Sequence, residues 1–282
     1  MKQYKKPAGF VINKSLLYFL LLLLAVLCIM PFLLMMVNAT RSGVEISHSF
    51  SFVPGKSLGD NYRQLAEYFN IYRGMLNSVI VALPATFLTA YFSAMTAYGL
   101  AFYKFKTNRL IFVSILIFMM IPGQLSLIGF YQLCTKLHMV NSYLPLILPA
   151  IASPGTVYFL RQYAISVVPR SLMEAARLDG ASELYIFHRI VLPLMQPGVA
   201  TMAIMCFIGN WNNYLLPMII LNKKEKFTLP VLITTLNAAT DLQANQGAIY
   251  LAVAISVIPI LIVFCIFSRQ IIGSIASGAV KE

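Results

Sequence analysis

Charge is what this chain has least of. Only 11% of its 282 residues are Asp, Glu, Lys or Arg, against roughly 25% in a soluble domain. Histidine and cysteine are also scarce, at three and four. Each shortage removes a class of function. Cys28, Cys134, Cys206 and Cys265 are far apart and form no Cys-x-x-Cys, so the sequence writes neither a disulfide framework nor a thiolate metal site. His48, His138 and His188 stand in different loops, with no carboxylate or cysteine at ligand spacing. That leaves no metal centre and no histidine-based triad. Gly55-Lys56-Ser57 looks like the end of a phosphate loop, but Phe50 stands where the required first glycine belongs. The chain has no Walker motif and no nucleotide site of its own. Asn38-Ala39-Thr40 fits a glycosylation sequon, a motif common by chance.

Apolar residues are what is there, at 59%. Six stretches, 15–37, 76–102, 110–133, 143–160, 197–221 and 247–268, have about the 20-residue length that crosses roughly 30 Å of hydrocarbon. None contains Asp, Glu, Lys or Arg, the residues that mark proton relays and ion paths inside membranes. The expected fold class is an all-α polytopic membrane protein with six transmembrane helices in one domain, 15–268. Short tails flank it at 1–14 and 269–282, and no room is left for a soluble enzyme domain. The first stretch follows a basic tail, as a signal peptide does. It is longer than a typical signal core and lacks an Ala-x-Ala-like site, so it reads as a retained span.

Lysine and arginine set the expected orientation. With the N-terminus inside, the inner segments hold 13 cations and the outer ones 8, in loops short enough for this bias to count. Both termini are then cytoplasmic. The net charge of +12 reads as topology and contact with membrane lipid, and no basic stripe suggests nucleic acid. The outer loop 38–73 contains Asn61, Tyr62, Tyr68 and Tyr72. It reads as a small helical cap or as a contact for another protein.

One polar island interrupts the apolar pattern, between the fourth and fifth stretches at 164–196. Pro169 blocks continuation of the fourth helix. Ser171-Leu172-Met173-Glu174 fits a capping box for a short helix. Ala175 and Ala176 keep one face of that helix shallow, and Gly180 can end it at positive φ. A second helix is expected near Ser182, with Leu184, Phe187, Val191 and Leu194 as its apolar face. Pro193 and Pro197 are expected to end it before re-entry into the bilayer. The result is a knob with a polar, shallow tip. By periodicity alone it is either a docking surface or an interfacial connector.

Residue identity sharpens this reading. Glu174-Ala175-Ala176, then Gly180, then nine residues, then Ile190-x-Leu192-Pro193 resembles the EAA loop of ABC importer permeases. The resemblance extends over nearly the whole chain and is nearest the maltose-permease-like sugar branch. It takes in Arg177-Leu178-Asp179-Gly180-Ala181-Ser182, Ile121-Pro122-Gly123-Gln124, Leu160-Arg161-Gln162-Tyr163, Trp211-Asn212-Asn213-Tyr214-Leu215 and Gly278-Ala279-Val280-Lys281. Asn213 departs from the Asp common in that branch. The resemblance implies a type I importer permease in a bacterial inner membrane. It also implies a second homologous permease, two cytoplasmic ATPase subunits that bind ATP and Mg, and an extracellular solute-binding protein. In that family the loop docks on the ATPase, so Glu174 and Asp179 would face cations on the partner, and Arg177 acids.

The fifth stretch contains Asn210, Trp211, Asn212, Asn213 and Tyr214. Amides facing lipid are costly, so these face other helices or a water-filled cavity. Amides that bind hydroxyls beside rings that stack on an apolar sugar face suit a carbohydrate. Amides that hold helices together are the equal alternative. Gln124, Ser126, Tyr131 and Tyr158 are weaker candidates for the same path. A glycerol phosphate ester is the alternative cargo. A secondary transporter ranks lower, because it leaves the loop pattern unexplained.

Overall fold

The computed structural model describes residues 14–238 and 246–279, with side chains for 14–236 and 246–267. Most of the two tails, and the Gly278–Lys281 match, lie outside the described residues and side chains. In chain order the helices are α1 Lys14–Asn38, α2 Gly43–His48, α3 Leu58–Tyr68, α4 Ile71–Phe102, α5 Asn108–Met120, α6 Leu127–Lys136 and α7 Leu144–Ile147. They continue with α8 Pro154–Val167, α9 Arg170–Leu178, α10 Glu183–Ile186, α11 Leu192–Trp211, α12 Leu215–Ile220, α13 Leu229–Ala238 and α14 Gln246–Ala279. Among the described residues, five helical stretches are long and apolar enough to cross a membrane. A sixth is counted if α5 and the helical run Gly123–Lys136, bent by 91°, form one broken span. The break falls at Pro122-Gly123, inside the stretch expected at 110–133. Pro122 has no N–H to continue the α5 ladder, and its ring Cδ crowds the residue before it into extended geometry. Ile121 adopts that geometry, with ψ of 120°.

The chain divides into two compact units. Among the described residues, the smaller comprises 14–68 and 246–255. Within it, Arg41 is buried and donates to the Glu45 carbonyl at 2.7 Å and to the Ser49 carbonyl and hydroxyl at 2.8 and 2.7 Å. Asn61 donates to the carbonyls of Ala39 and Arg41, both at 2.9 Å. These bonds satisfy polar groups that would be costly to bury alone. Ser42 and Glu45 form a capping box on α2. The loop 38–73 thus carries two helices, α2 and α3. Gly55 lies so close to the Thr40 carbonyl that a Cβ would stand 2.6 Å from it. The glycine of the Gly-Lys-Ser stretch therefore serves close packing.

The larger unit comprises the described residues 69–238 and 256–279, and its central element is α4. At 1.5 Å per residue its 32 residues extend about 48 Å, more than a bilayer core. Ala82, Ala85, Ala90, Ala94, Ala97 and Ala101 are all buried on it. Small residues let helices approach closely without a hydrophobic driving force in lipid, and α8 and α11 pack along this stripe. At one end Asn77 donates to the carbonyls of Glu225 and Phe227, both at 2.9 Å. At the other, α4 meets the polar island.

Candidate functional site

The island folds as two short helices joined by a glycine turn. Pro169 is the N-cap of α9, with φ of −68°, and separates it from α8. The expected capping box on Ser171 does not form. The helix has already begun at Arg170, and its cap makes no side-chain hydrogen bond. Proline presets the entry φ, so Ser171 falls inside the first turn rather than before it. The cap that does form is Ser182, whose hydroxyl accepts from the Tyr185 N–H at 3.3 Å and opens α10. Between them Gly180 sits at φ +80°. Its N–H donates to the Arg177 carbonyl at 3.0 Å, and the Ala181 N–H reaches the Ala176 carbonyl at 2.9 Å. This is the paired bonding of a left-handed helix terminus.

Pro193 and Pro197 do not end the second helix. The helical path runs from Glu183 to Trp211 without interruption, passing through a π-turn at Phe187–Val191. The Leu192 N–H donates to the Phe187 carbonyl, five residues back. Pro193 has no N–H for the Arg189 carbonyl, and its ring crowds that position, so a wider turn accommodates it. The extra residue rotates the helix, and the expected apolar face changes. Ile186, Phe187, Val191 and Met195 are buried, whereas Leu184 is 64% exposed and Leu194 38%. The buried set packs against Ala94, Ala97, Tyr98 and Ala101 of α4 and Leu160 and Ala164 of α8, with Met173 of α9 in the same core.

Glu183 ties this knob to α4. One carboxylate oxygen accepts from Arg177 Nε at 2.8 Å. The other accepts from the Tyr98 hydroxyl at 3.0 Å and from the Tyr103 hydroxyl. Arg177 also lies 5.3 Å from the Tyr103 ring centroid, within cation–π range. Burial, then the bond to Glu183, holds the Tyr103 phenol above its ordinary range. Arg177 is thus paired within the chain while its side chain stays 37% exposed. An Arg and a Glu on either side of a helix-ending glycine were the readable signal. The two tyrosines gave none, being 85 and 80 residues away.

The outward face of the knob carries Glu174, Ala175 and Asp179, all exposed. Beside them Leu178 is 89% exposed, and Leu172, Leu184 and Tyr185 are also exposed. The tip is therefore apolar ringed by acids, rather than simply polar. Ile190 and Leu192 are half-buried, and Pro193 is exposed.

The amide cluster of the fifth stretch falls at a second helix break. α11 ends at Trp211, Asn212 caps it, and Tyr214 precedes α12. Trp211 is 1% exposed, stacks on Phe207, and donates to the Ser256 carbonyl at 3.0 Å. Asn210 is half-buried and reaches the Thr86 hydroxyl at 3.4 Å. Asn212, Asn213 and Tyr214 are exposed. Gln124 and Ser126 lie exposed in the short 3-10 turn of the broken α5–α6 pair. Tyr131 is exposed on α6, and Tyr158 of α8 stacks on Phe112 with centroids 6.1 Å apart. The structure does not bring all these residues together. It assigns the indole to a packed core and the neighbouring amides to a discontinuity in a membrane helix.

A knob continuous with one membrane-length helix and bonded to another is a membrane-protein architecture in which displacement at the knob reaches a spanning helix. Residues 88–275 match the family described as binding-protein-dependent transport system inner membrane component. The chain belongs to that family: it is an inner-membrane permease subunit of an ABC importer, a system that works with a binding protein and an ATPase. It is 35% identical over 264 residues to the arabinooligosaccharides transport system permease protein AraQ of Bacillus subtilis, covering 92% of this chain and 93% of that protein. It is 33% identical over 264 residues to the diacetylchitobiose uptake system permease protein NgcG of Streptomyces coelicolor, covering 93% and 87%. Among solved structures, a chain of a bacterial ABC transporter involved in import of the acidic polysaccharide alginate superposes with a TM-score of 0.79. Identity there is 20%, covering 96% of this chain and all of that one. The fold is thus the all-helical importer-permease fold expected from the sequence.

Proposed function

We propose that this chain is one of two homologous, non-identical permeases in a type I importer for an oligosaccharide. The relatives above are named for carbohydrate cargo, which supports this substrate class. The observation that carries the coupling role is the unbroken helical path from Glu183 to Trp211. A push on the knob moves a membrane helix as a rigid body, where a flexible loop would absorb it. Glu174, Ala175, Asp179, Gly180 and Leu178 form the docking face, Ala176 packs behind it against the core, and Ile190, Leu192 and Pro193 shape the helix behind it. Two ATPase subunits on the cytoplasmic side bind ATP and Mg, and a solute-binding protein delivers cargo outside. Both termini are cytoplasmic.

Asn212, Asn213 and Tyr214, with Gln124 and Tyr131, are the groups we assign to the sugar path. Asn210 and Tyr158 border it, and Trp211 holds α11 in place. The exposed bend at Met120, Leu125 and Ile128 supports pairing with the second permease. A glycerol phosphate ester would need a cation along the path, and the apolar stretches have none.

The test is reconstitution with the partner subunits in liposomes. Oligosaccharide uptake and sugar-stimulated ATP hydrolysis are compared for wild type, Gly180→Asp and Glu174→Lys at matched assembly. We expect uptake of an oligosaccharide and its loss in both variants. Uptake of a glycerol phosphate ester alone would overturn the cargo, and normal uptake in both variants would reduce the knob to a connector.

A further inference from the structure

The α4–α5 connection holds a concentration of positive charge that the transport role leaves unused. Lys104, Lys106 and Arg109 line one concavity together with Arg161 of α8. Asn108 closes the connection, donating to the Tyr103 carbonyl at 2.8 Å and the Leu100 carbonyl at 3.3 Å. Arg161 is held in place as well. Its Nε donates to the Leu100 carbonyl at 3.3 Å, and its guanidinium lies 4.1 Å from the Phe112 ring centroid. Among the described residues the salt bridges are Arg63–Asp60 and Arg177–Glu183, so none of these four cations has a carboxylate partner. A neighbouring hollow that Lys104 also borders holds two acids, Glu174 and Glu183; Glu183 is committed to Arg177, and neither lines the cationic concavity. Four uncompensated charges around one hollow raise the local potential and favour an anion.

The surroundings specify the kind of anion. Phe105 lies exposed between the two lysines, and an aromatic flanked by cations suits the membrane interface. Directly along α5 from Arg109, Leu110 is 67% exposed, and Ile111 and Val113 are exposed too. The charged hollow thus adjoins an apolar helix face within one turn. A free phosphate would use only the hollow. An amphiphile with a phosphate head and acyl chains would use both.

We propose that this hollow is a site for the phosphate headgroup of an anionic glycerophospholipid, seated between α4, α5 and α8. The orientation proposed above places it in the inner leaflet. The site itself does not depend on that orientation, and its test is independent of uptake.

The test is native mass spectrometry of the assembled transporter in detergent, offered phosphatidylglycerol or phosphatidylcholine with the same acyl chains. Two charge-matched variants are compared: Lys104→Gln/Lys106→Gln/Arg109→Gln, and the control Lys223→Gln/Lys224→Gln/Lys226→Gln. Wild type should retain phosphatidylglycerol in preference to phosphatidylcholine. The first variant should lose that preference, by about fivefold for each cation removed, and the control should keep it. Equal retention of the two lipids by wild type would overturn the proposal even if the first variant failed to assemble. So would equal loss in both variants, or displacement of the bound lipid by millimolar inorganic phosphate, which marks a free-anion site. An acidic partner surface filling the hollow would show as lipid retention that is absent from the full complex and regained when the ATPase is removed, and would also overturn it.

Discussion

Gly180 separates two physical demands that coincide in one residue. Its φ of +80° lies where a side chain costs about 1 kcal/mol or more. A Cβ there would meet nothing within 4 Å of this chain, so the cost is backbone conformation alone. Asparagine tolerates that region better than alanine, and β-branched residues tolerate it least. If the turn alone matters, sugar-stimulated ATP hydrolysis should fall in the order Gly180→Asn, Gly180→Ala, Gly180→Val, with the valine variant lowest. If asparagine proves worse than alanine, the demand comes from a partner surface pressed against Cα. The glycine, its helix and its flanking alanines were legible in the sequence, because a local turn is encoded locally. The cap was not. Ser171 and Ser182 both precede helical residues, and only Pro169, by fixing the helix start one residue before Ser171, decides between them.

At the scale of elements, the sequence read amphipathic spacing as if every turn held 3.6 residues. The π-turn at Phe187–Val191 breaks that rule, which is why Leu184 points out and Ile186 points in. Proline position held the information, but the choice between ending a helix and widening it is settled by packing against α4. The same packing makes Glu183 a mechanical link. A hydrogen bond to a charged group is worth about 1.5–3 kcal/mol. The Glu183 side chain is 46% exposed, so solvent screening lowers that figure. Glu183→Ala should weaken anchoring of the knob by about 1–2 kcal/mol. The reconstituted transporter should then hydrolyse ATP but move roughly tenfold less sugar per ATP. Tyr103→Phe should show a smaller loss in the same ratio. An unchanged ratio in Glu183→Ala would mean that the buried contacts of Phe187 and Val191 alone carry the motion.

For the whole molecule, the class was legible because membranes impose length and polarity on every crossing segment. The breaks were less legible, since a bent span and a straight one share a composition. Orientation rests on a bias of 13 cations to 8, and the coupling role depends on it, because ATP is cytoplasmic. Single cysteines in a cysteine-free background test it: Thr107→Cys between α4 and α5, and Lys224→Cys before α13. Both positions are exposed. In intact cells a membrane-impermeant maleimide should label Lys224→Cys at once, and Thr107→Cys only after permeabilisation. The knob packs on the α4 end that leads into Thr107, so the two share a side. Labelling of Thr107→Cys from outside would place Glu174 and Gly180 away from any ATPase. No docking geometry could then rescue the coupling role, whatever cargo the transporter carries.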